Sequence, residues 1–199
     1  MPGPPTPPPA PGEDRSVALA LVNTELVRRG DRVDLLADGP ALARWLRGHG
    51  LPSTRATAIE APDLHRFRSL RTAIRQAFIA RAHGGRPGSG ALAQINSAVA
   101  LVFAADRLTW AGDGPTARTV WPSRAPKLDI ALATIARDAI ATLLGDTGAR
   151  LRVCEAHGCA RLFIREHARR RWCSKTCGDR VRVARHYRKV RGGRPPASR

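Results

Sequence analysis

The stretch CEAHGCARLFIREHARRRWCSKTCGDR, residues 154–180, contains all 4 cysteines of the chain. Four residues separate Cys154 from Cys159, three separate Cys173 from Cys177, and thirteen lie between the two pairs. Two close pairs at such a separation are typical of a zinc site. Tetrahedral Zn²⁺ takes four thiolates, so each pair must present both sulfurs from one tight turn. The spacing therefore predicts a small module that binds one zinc ion per chain.

The alternative is that the four cysteines form two disulfides. Met1-Pro2-Gly3-Pro4-Pro5 has neither a charged nor an apolar signal region, so we expect no signal peptide. A reducing, cytoplasmic compartment favours zinc over disulfides. His157, His167 and His186 are alternative ligands, although four cysteines complete the set without them. A further alternative is a redox switch, in which oxidation of the cysteines releases the zinc.

The residues within and after this stretch predict how the module is built. His157-Gly158 can supply the turn of the first pair, and Cys177 is expected in the first turn of a following helix. On that helix Val181, Ala184 and Tyr187 share one face, which is expected to pack on the module. The basic side chains then project away from it.

Positive charge is concentrated in the same region. The chain has a net charge of +18, and residues 150–199 contain 16 basic and 3 acidic residues, a net +13. Such asymmetry indicates a polyanionic partner, with nucleic acid first. A basic disordered tail is the alternative, but the segment also contains Phe163, Trp172 and the cysteines. The candidate nucleic-acid contacts are Arg169, Arg170, Arg171, Arg180, Arg182, Arg185, Arg188 and Lys189, with Arg169–Arg171 as a phosphate clamp.

The preceding residues predict a mainly α fold with one β-hairpin. Residues 1–12 are expected to be a disordered, proline-rich leader. Apolar spacing predicts helices over 16–29, from Asp38 through Leu46, from Pro62 to about 83, from a Ser89 cap to about 102, and over 126–144. Residues 107–110 and 119–121 flank a Gly112-Asp113-Gly114-Pro115 turn, which predicts the hairpin.

No cluster in this part nominates an active site, so we expect no enzyme. An enzyme in the N-terminal part would need a polar pocket with perturbed pKa values. Asn23 and Thr24 lie in an apolar helix pattern, where such side chains usually bond to the helix backbone. The alternative is that this pair faces a small-molecule effector.

The motifs resemble a known family. Cys154-x4-Cys159-Ala160-Arg161-Leu162-Phe163, Arg170-Arg171-Trp172-Cys173-Ser174 and Cys177-Gly178-Asp179-Arg180 resemble the CGNR-type zinc finger of bacterial proteins. Val22-Asn23-Thr24, Asp34-Leu35-Leu36 and Leu42-Ala43-Arg44-Trp45-Leu46 resemble the ABATE domain that precedes it. The resemblance covers about residues 17–191. It implies a treble-clef-like zinc finger with a C-terminal helix, acting as the DNA-binding module of a stress-linked transcriptional regulator.

Two residues depart from the family pattern. Asp179 replaces the signature asparagine, and Arg165 stands where an acidic residue is expected. The change at Asp179 puts in doubt any nucleic-acid contact that the asparagine makes. If the asparagine only caps the helix start, aspartate serves equally well.

Together these observations predict a two-part cytoplasmic, nucleoid-associated regulator. Residues 13–147 form an ABATE-like helical domain that binds an effector or forms a homodimer, 150–191 form the DNA-binding finger, and 192–199 are a disordered basic tail. A protein that binds structured RNA or the ribosome is the alternative. No apolar run approaches membrane-spanning length, so no membrane partner is expected. Because 145–148 resemble a hinge, we expect the helical domain to fold alone and to survive zinc loss.

Overall fold

The computed structural model describes residues 7–28 and 30–192, without the side chains of Arg28, Thr57, Ala111 and 188–192. The helices are α1 (Val17–Val22), α2 (Gly39–Gly48), α3 (Ala61–Ala82), α4 (Ser89–Val99), α5 (Lys127–Leu144), α6 (Asp146–Ala149) and α7 (Lys175–Gly192). The strands are β1 (Glu25–Arg28), β2 (Asp31–Asp34), β3 (Ala105–Ala111), β4 (Gly114–Val120), β5 (Leu151–Val153) and β6 (Leu162–Ile164). They form three separate antiparallel hairpins, β1–β2, β3–β4 and β5–β6. No helix in the described ranges is long and apolar enough to cross a bilayer.

Helix α3 is the centre of the core and packs against α1, α4 and α5. Its apolar stripe of Phe67, Leu70, Ile74 and Phe78 is fully buried. The helix begins in a capping box between Glu60 and Asp63 and is followed by Gly84 in the left-handed region, at a φ of +71°. The sequence prediction for this helix is confirmed.

The first predicted helix extends too far along the chain, because its second half belongs to a hairpin. Helix α1 ends at Val22, and residues 25–34 form the β1–β2 hairpin instead of continuing the helix to Arg29. Thr24 ends the helix, since its Oγ1 donates to the Leu21 carbonyl and its own carbonyl accepts from Leu35 N. Two hairpins therefore precede the finger, where one is predicted.

The other predicted elements of this part are present. Asp38 caps α2 by accepting from Ala41 N at 2.7 Å, and α5 spans Lys127–Leu144. Strands β3 and β4 match the predicted hairpin. Helix α4 differs in detail, because Gly88 and not Ser89 is its N-cap.

Part of the leader is packed and not disordered. Ala10 is only 2% exposed, and the Pro11 carbonyl accepts from Ile164 N at 2.8 Å. Gly12 has a φ of +93°, and a Cβ there would lie 2.8 Å from Ile164 Cβ. The prediction of disorder is therefore wrong for residues 10–12, which lie beside β6 and enter a turn. Residues 1–6 and the tail at 193–199 lie outside the described residues.

The predicted hinge at 145–148 is a packed helix. Helix α6 contacts both α3 and α5, and a Cβ on Gly148 would collide with the Leu143 carbonyl. Directly after it, Leu151, Leu162 and Ile164 are 1% exposed or less and belong to the same apolar cluster as α1, α3 and α5. The finger hairpin thus completes the core of the helical part, and the two parts share one interior.

Candidate metal centre

The four cysteine sulfurs lie within 4.8 Å of one another. Two of the separations, Cys159 to Cys173 and Cys173 to Cys177, are 3.7 Å. Sulfurs that bind one Zn²⁺ tetrahedrally at about 2.3 Å stand about 3.8 Å apart, whereas a disulfide requires about 2.05 Å. All four are free thiols. The residues therefore fit a single zinc ion with a Cys₄ ligand set.

The first cysteine pair lies in the β5–β6 hairpin. Cys159 N donates to the Ala156 carbonyl at 2.9 Å, and Gly158 adopts a φ of +68°, which favours glycine. Cys154 N donates to the Arg161 carbonyl and extends the ladder up to the ligand. The predicted turn at His157-Gly158 is confirmed. His157 is exposed and is not one of the clustered donors.

The second pair lies at the start of α7. Ser174 caps the helix, since its Oγ accepts from Cys177 N at 3.2 Å, and Cys177 stands in the first turn as predicted. Cys173 N donates to Cys154 Sγ at 3.4 Å and joins the two pairs. A Cβ on Gly178 would lie 3.1 Å from Trp172 Cε3. Glycine at this position therefore lets the indole lie against the helix backbone.

The contacting thiols perturb one another strongly. Hydrogen bonding from Cys159 and then from Cys173 lowers the pKa of Cys154 to about 2. Hydrogen bonding with Cys154 raises the pKa of Cys159 to about 11, and the same interaction raises the pKa of Cys173 further. One thiolate is thus stabilised by protonated neighbours. A bound Zn²⁺ would supply the positive charge that lets all four ionise, and its binding would release protons.

A mostly buried arginine from the helical part binds the backbone next to the first cysteine pair. Arg75 on α3 donates from Nη1 to the Ala160 carbonyl and from Nη2 to the Val22 carbonyl, both at 2.6 Å. Burial lowers the pKa of Arg75, and the charges of Glu25 and Cys159 oppose that effect. Sequence reasoning missed this residue. The sequence pattern that could have identified it is the repeat of Arg68, Arg71 and Arg75 at i, i+3 and i+7. This repeat runs along a helix whose neighbouring positions are core residues.

Asn23 is a second link between the helical part and the finger. Its Nδ2 donates to the Leu162 carbonyl at 2.8 Å and to Glu13 Oε1 at 2.6 Å, while its Oδ1 accepts from Leu162 N at 2.9 Å. Glu13 also pairs with Arg161 at 2.6 Å. Thr24 accepts from Arg71 Nη1 at 2.9 Å. Asn23 and Thr24 are 4% and 2% exposed, so the structure corrects the interpretation of an effector-facing pair.

Comparison with protein families agrees with this architecture. Residues 150–190 match the model of the CGNR zinc finger. Residues 15–146 match the ABATE model, described as "Putative stress-induced transcription regulator", which covers more than half of the chain. The chain belongs to the ABATE family. No curated protein matches it.

In this ABATE protein the predicted arginine clamp is partly neutralised. Arg170 pairs with Glu166 at 3.7 Å, and Arg171 Nε donates to Glu155 Oε2 at 2.6 Å. Arg169 is exposed and has no carboxylate partner in the described part of the chain. The structure therefore does not present residues 169–171 as three free cations.

Helix α7 of the ABATE protein projects from the metal centre. Val181 packs against the cysteine cluster, but Tyr187 is 64% exposed, so the predicted packing face ends after one turn. Arg182 pairs with Asp179, whereas Arg185 is exposed without a carboxylate partner among the residues described. Arg180 donates to Cys177 Sγ at 3.7 Å. The side chains of Arg188 and Lys189 lie outside the described part.

Proposed function

We propose that this ABATE protein is a zinc-dependent DNA-binding transcriptional regulator. The observation that carries the proposal is the course of α7, which holds the metal ligand Cys177 in its first turn and continues as an exposed basic helix. A cysteine pair in a hairpin followed by a pair at a helix start supports a treble-clef-like finger. Zinc would fix the angle at which the helix projects.

The chemistry of α7 suits a nucleic-acid groove. Residues 182–187 are all exposed, and basic side chains at 182 and 185 lie one turn apart. Arginine can contact guanine bidentately in the major groove or neutralise phosphates. We propose duplex DNA as the ligand, and structured RNA is an outcome that the experiment below distinguishes. We further propose that the protein acts by binding and not as an enzyme.

Replacing Arg182 and Arg185 together by alanine should weaken DNA binding about tenfold or more, because two contacts are lost. The measurement is the affinity for duplex DNA over a salt series. Each phosphate contact contributes about −0.9 to the slope of log K against log salt, so the slope should become shallower by about two if both arginines meet phosphates. Loss of sequence preference would instead indicate base readout.

The matched control is the double alanine variant at Arg44 and Arg47, two exposed arginines of α2. It removes the same charge from the helical part and should leave the slope unchanged. Equal loss in both variants would mean that net charge alone drives binding, which would contradict the proposal. Tighter binding of folded RNA than of duplex DNA at matched salt would favour the RNA alternative.

Asp179→Asn should tighten DNA binding. Asp179 holds the Arg182 guanidinium in an ion pair, and asparagine restores the family signature while removing the competing carboxylate. The released guanidinium should neutralise its phosphate more fully and steepen the salt slope by up to about one. Affinity measured beside Asp179→Asn/Arg182→Ala isolates the effect. An equal gain in the double variant would show that the gain does not pass through Arg182.

A further inference from the structure

Exposed apolar side chains of this protein are concentrated in one region. Of the eight large hydrophobic side chains exposed in the described part, six lie in α4, in the segment after it, on β3 or at the end of α5. They are Leu92, Leu101, Phe103, Leu108, Trp110 and Leu144. Phe103 is 85% exposed, Trp110 76% and Leu108 70%. Phe103, Leu108 and Trp110 fall within eight residues, and an exposed apolar patch marks an interaction site.

Strands β3 and β4 form a ribbon with one apolar face. The register pairs Leu108 with Ala117 and Trp110 with Pro115, so these four side chains share a face, called here the ribbon face. The ribbon packs extensively on no other described element. A two-stranded hairpin standing alone is marginally stable in water. The ribbon face therefore needs a cover that the described part of the chain does not supply.

A groove lies beside the base of the ribbon. It encloses about 230 Å³ between α4 and α5, and its apolar lining includes Val99, Phe103 and Ile140. Asp106 is on the same side of the ribbon as Leu108 and pairs with Arg137 of the groove at 3.8 Å. The ribbon face and the groove are therefore on the same side of the molecule.

We propose that the occupant of this surface is a second copy of the chain, with the ribbon of each copy lying in the groove of the other. Such an interface is isologous, because each copy supplies the same ribbon and the same groove. The inference does not rest on DNA binding. It assigns the dimerisation role to a named surface of the ABATE domain.

The charge of the surface supports a copy as the occupant. A chain with a net charge of +18 repels its copies over most of its surface. On the ribbon face and groove the charged groups Asp106 and Arg137 neutralise each other. Two copies therefore repel each other less here than over the rest of the surface, whereas an apolar, neutral face offers nothing to a nucleic acid.

The area is also of the required size. Aromatic side chains bury about 150–250 Å² each, so Phe103 and Trp110 together with Leu108 offer on the order of 450 Å² of apolar surface per chain. A standard interface buries about 800 Å² per partner. Because apolar atoms make up about 56–58% of an interface, this apolar area is about what a standard dimer interface requires.

Sedimentation velocity of the full, zinc-loaded chain, freed of nucleic acid, tests the proposal. We expect a species of twice 21.5 kDa at micromolar concentration. Leu108→Ser/Trp110→Ser should weaken the dimer by about 30-fold or more, as expected for central apolar anchors. Both side chains are mostly exposed in the single chain, so the monomer should keep its circular dichroism spectrum.

The matched control is Arg107→Ser/Thr109→Ser, which changes the opposite face of the same strand and should leave the dimer intact. A chain that stays monomeric up to about 100 µM would overturn the proposal. So would a Leu108→Ser/Trp110→Ser variant that dimerises as tightly as the unmodified chain. Since no DNA is present, failure here is separate from failure of the DNA-binding proposal.

Discussion

Removing the zinc ion should destabilise the whole chain and not only the finger. The cysteines hold the β5–β6 hairpin, and that hairpin supplies Leu151, Leu162 and Ile164 to the core of the ABATE domain. Structural zinc contributes on the order of 10 kcal/mol to the folding of small fingers, against about 5–15 kcal/mol for a whole domain. We expect the main thermal transition to fall by roughly 20–40 °C, at about 2–4 °C per kcal/mol.

Calorimetry of the reduced protein before and after chelation measures this effect, and elemental analysis should give one zinc per chain. Cys173→Ser should reproduce the shift and lose the metal. The control His157→Ala changes an exposed histidine between two ligands and should keep both the zinc and the transition. A transition of the helical part that is unmoved by chelation would show that the two parts are independent.

The isolated fragment 13–147 should fail to unfold cooperatively, contrary to what the sequence alone predicts. The cut removes three side chains that are 1% exposed or less, each contributing about 1.5–3 kcal/mol. It also leaves the buried Asn23 amide without Leu162, at about 1–3 kcal/mol. The combined loss is comparable to the stability of a domain.

Thermal unfolding of the fragment, followed by circular dichroism, is the measurement, with fragment 7–192 plus zinc as the control. The control retains every described contact between the helical part and the finger and should unfold in one cooperative transition. A cooperative transition of fragment 13–147 within about 5 °C of the control would contradict the shared core.

Much of the candidate site could be predicted because its signals are local. The spacing of Cys154, Cys159, Cys173 and Cys177 is imposed by one ion, and a turn or a helix start of a few residues sets each pair. The charge partners of the arginines could not be predicted. Glu155 is sixteen residues from Arg171, and only the fold of the finger brings them together.

The sequence by itself determined the zinc ligands, the central helix α3 and the β3–β4 ribbon, because each follows from periodicity or spacing within one segment. Only the tertiary structure decided the role of Asn23. Its local context indicates a helix interior, but its amide bonds to β6, 139 residues away, and the helix ends there. Long-range partners of this kind satisfy a buried polar group that no local pattern can pair. For the same reason, residues 145–148 are not the hinge between two domains that the sequence predicts. They lie where the core of the helical part continues into the finger.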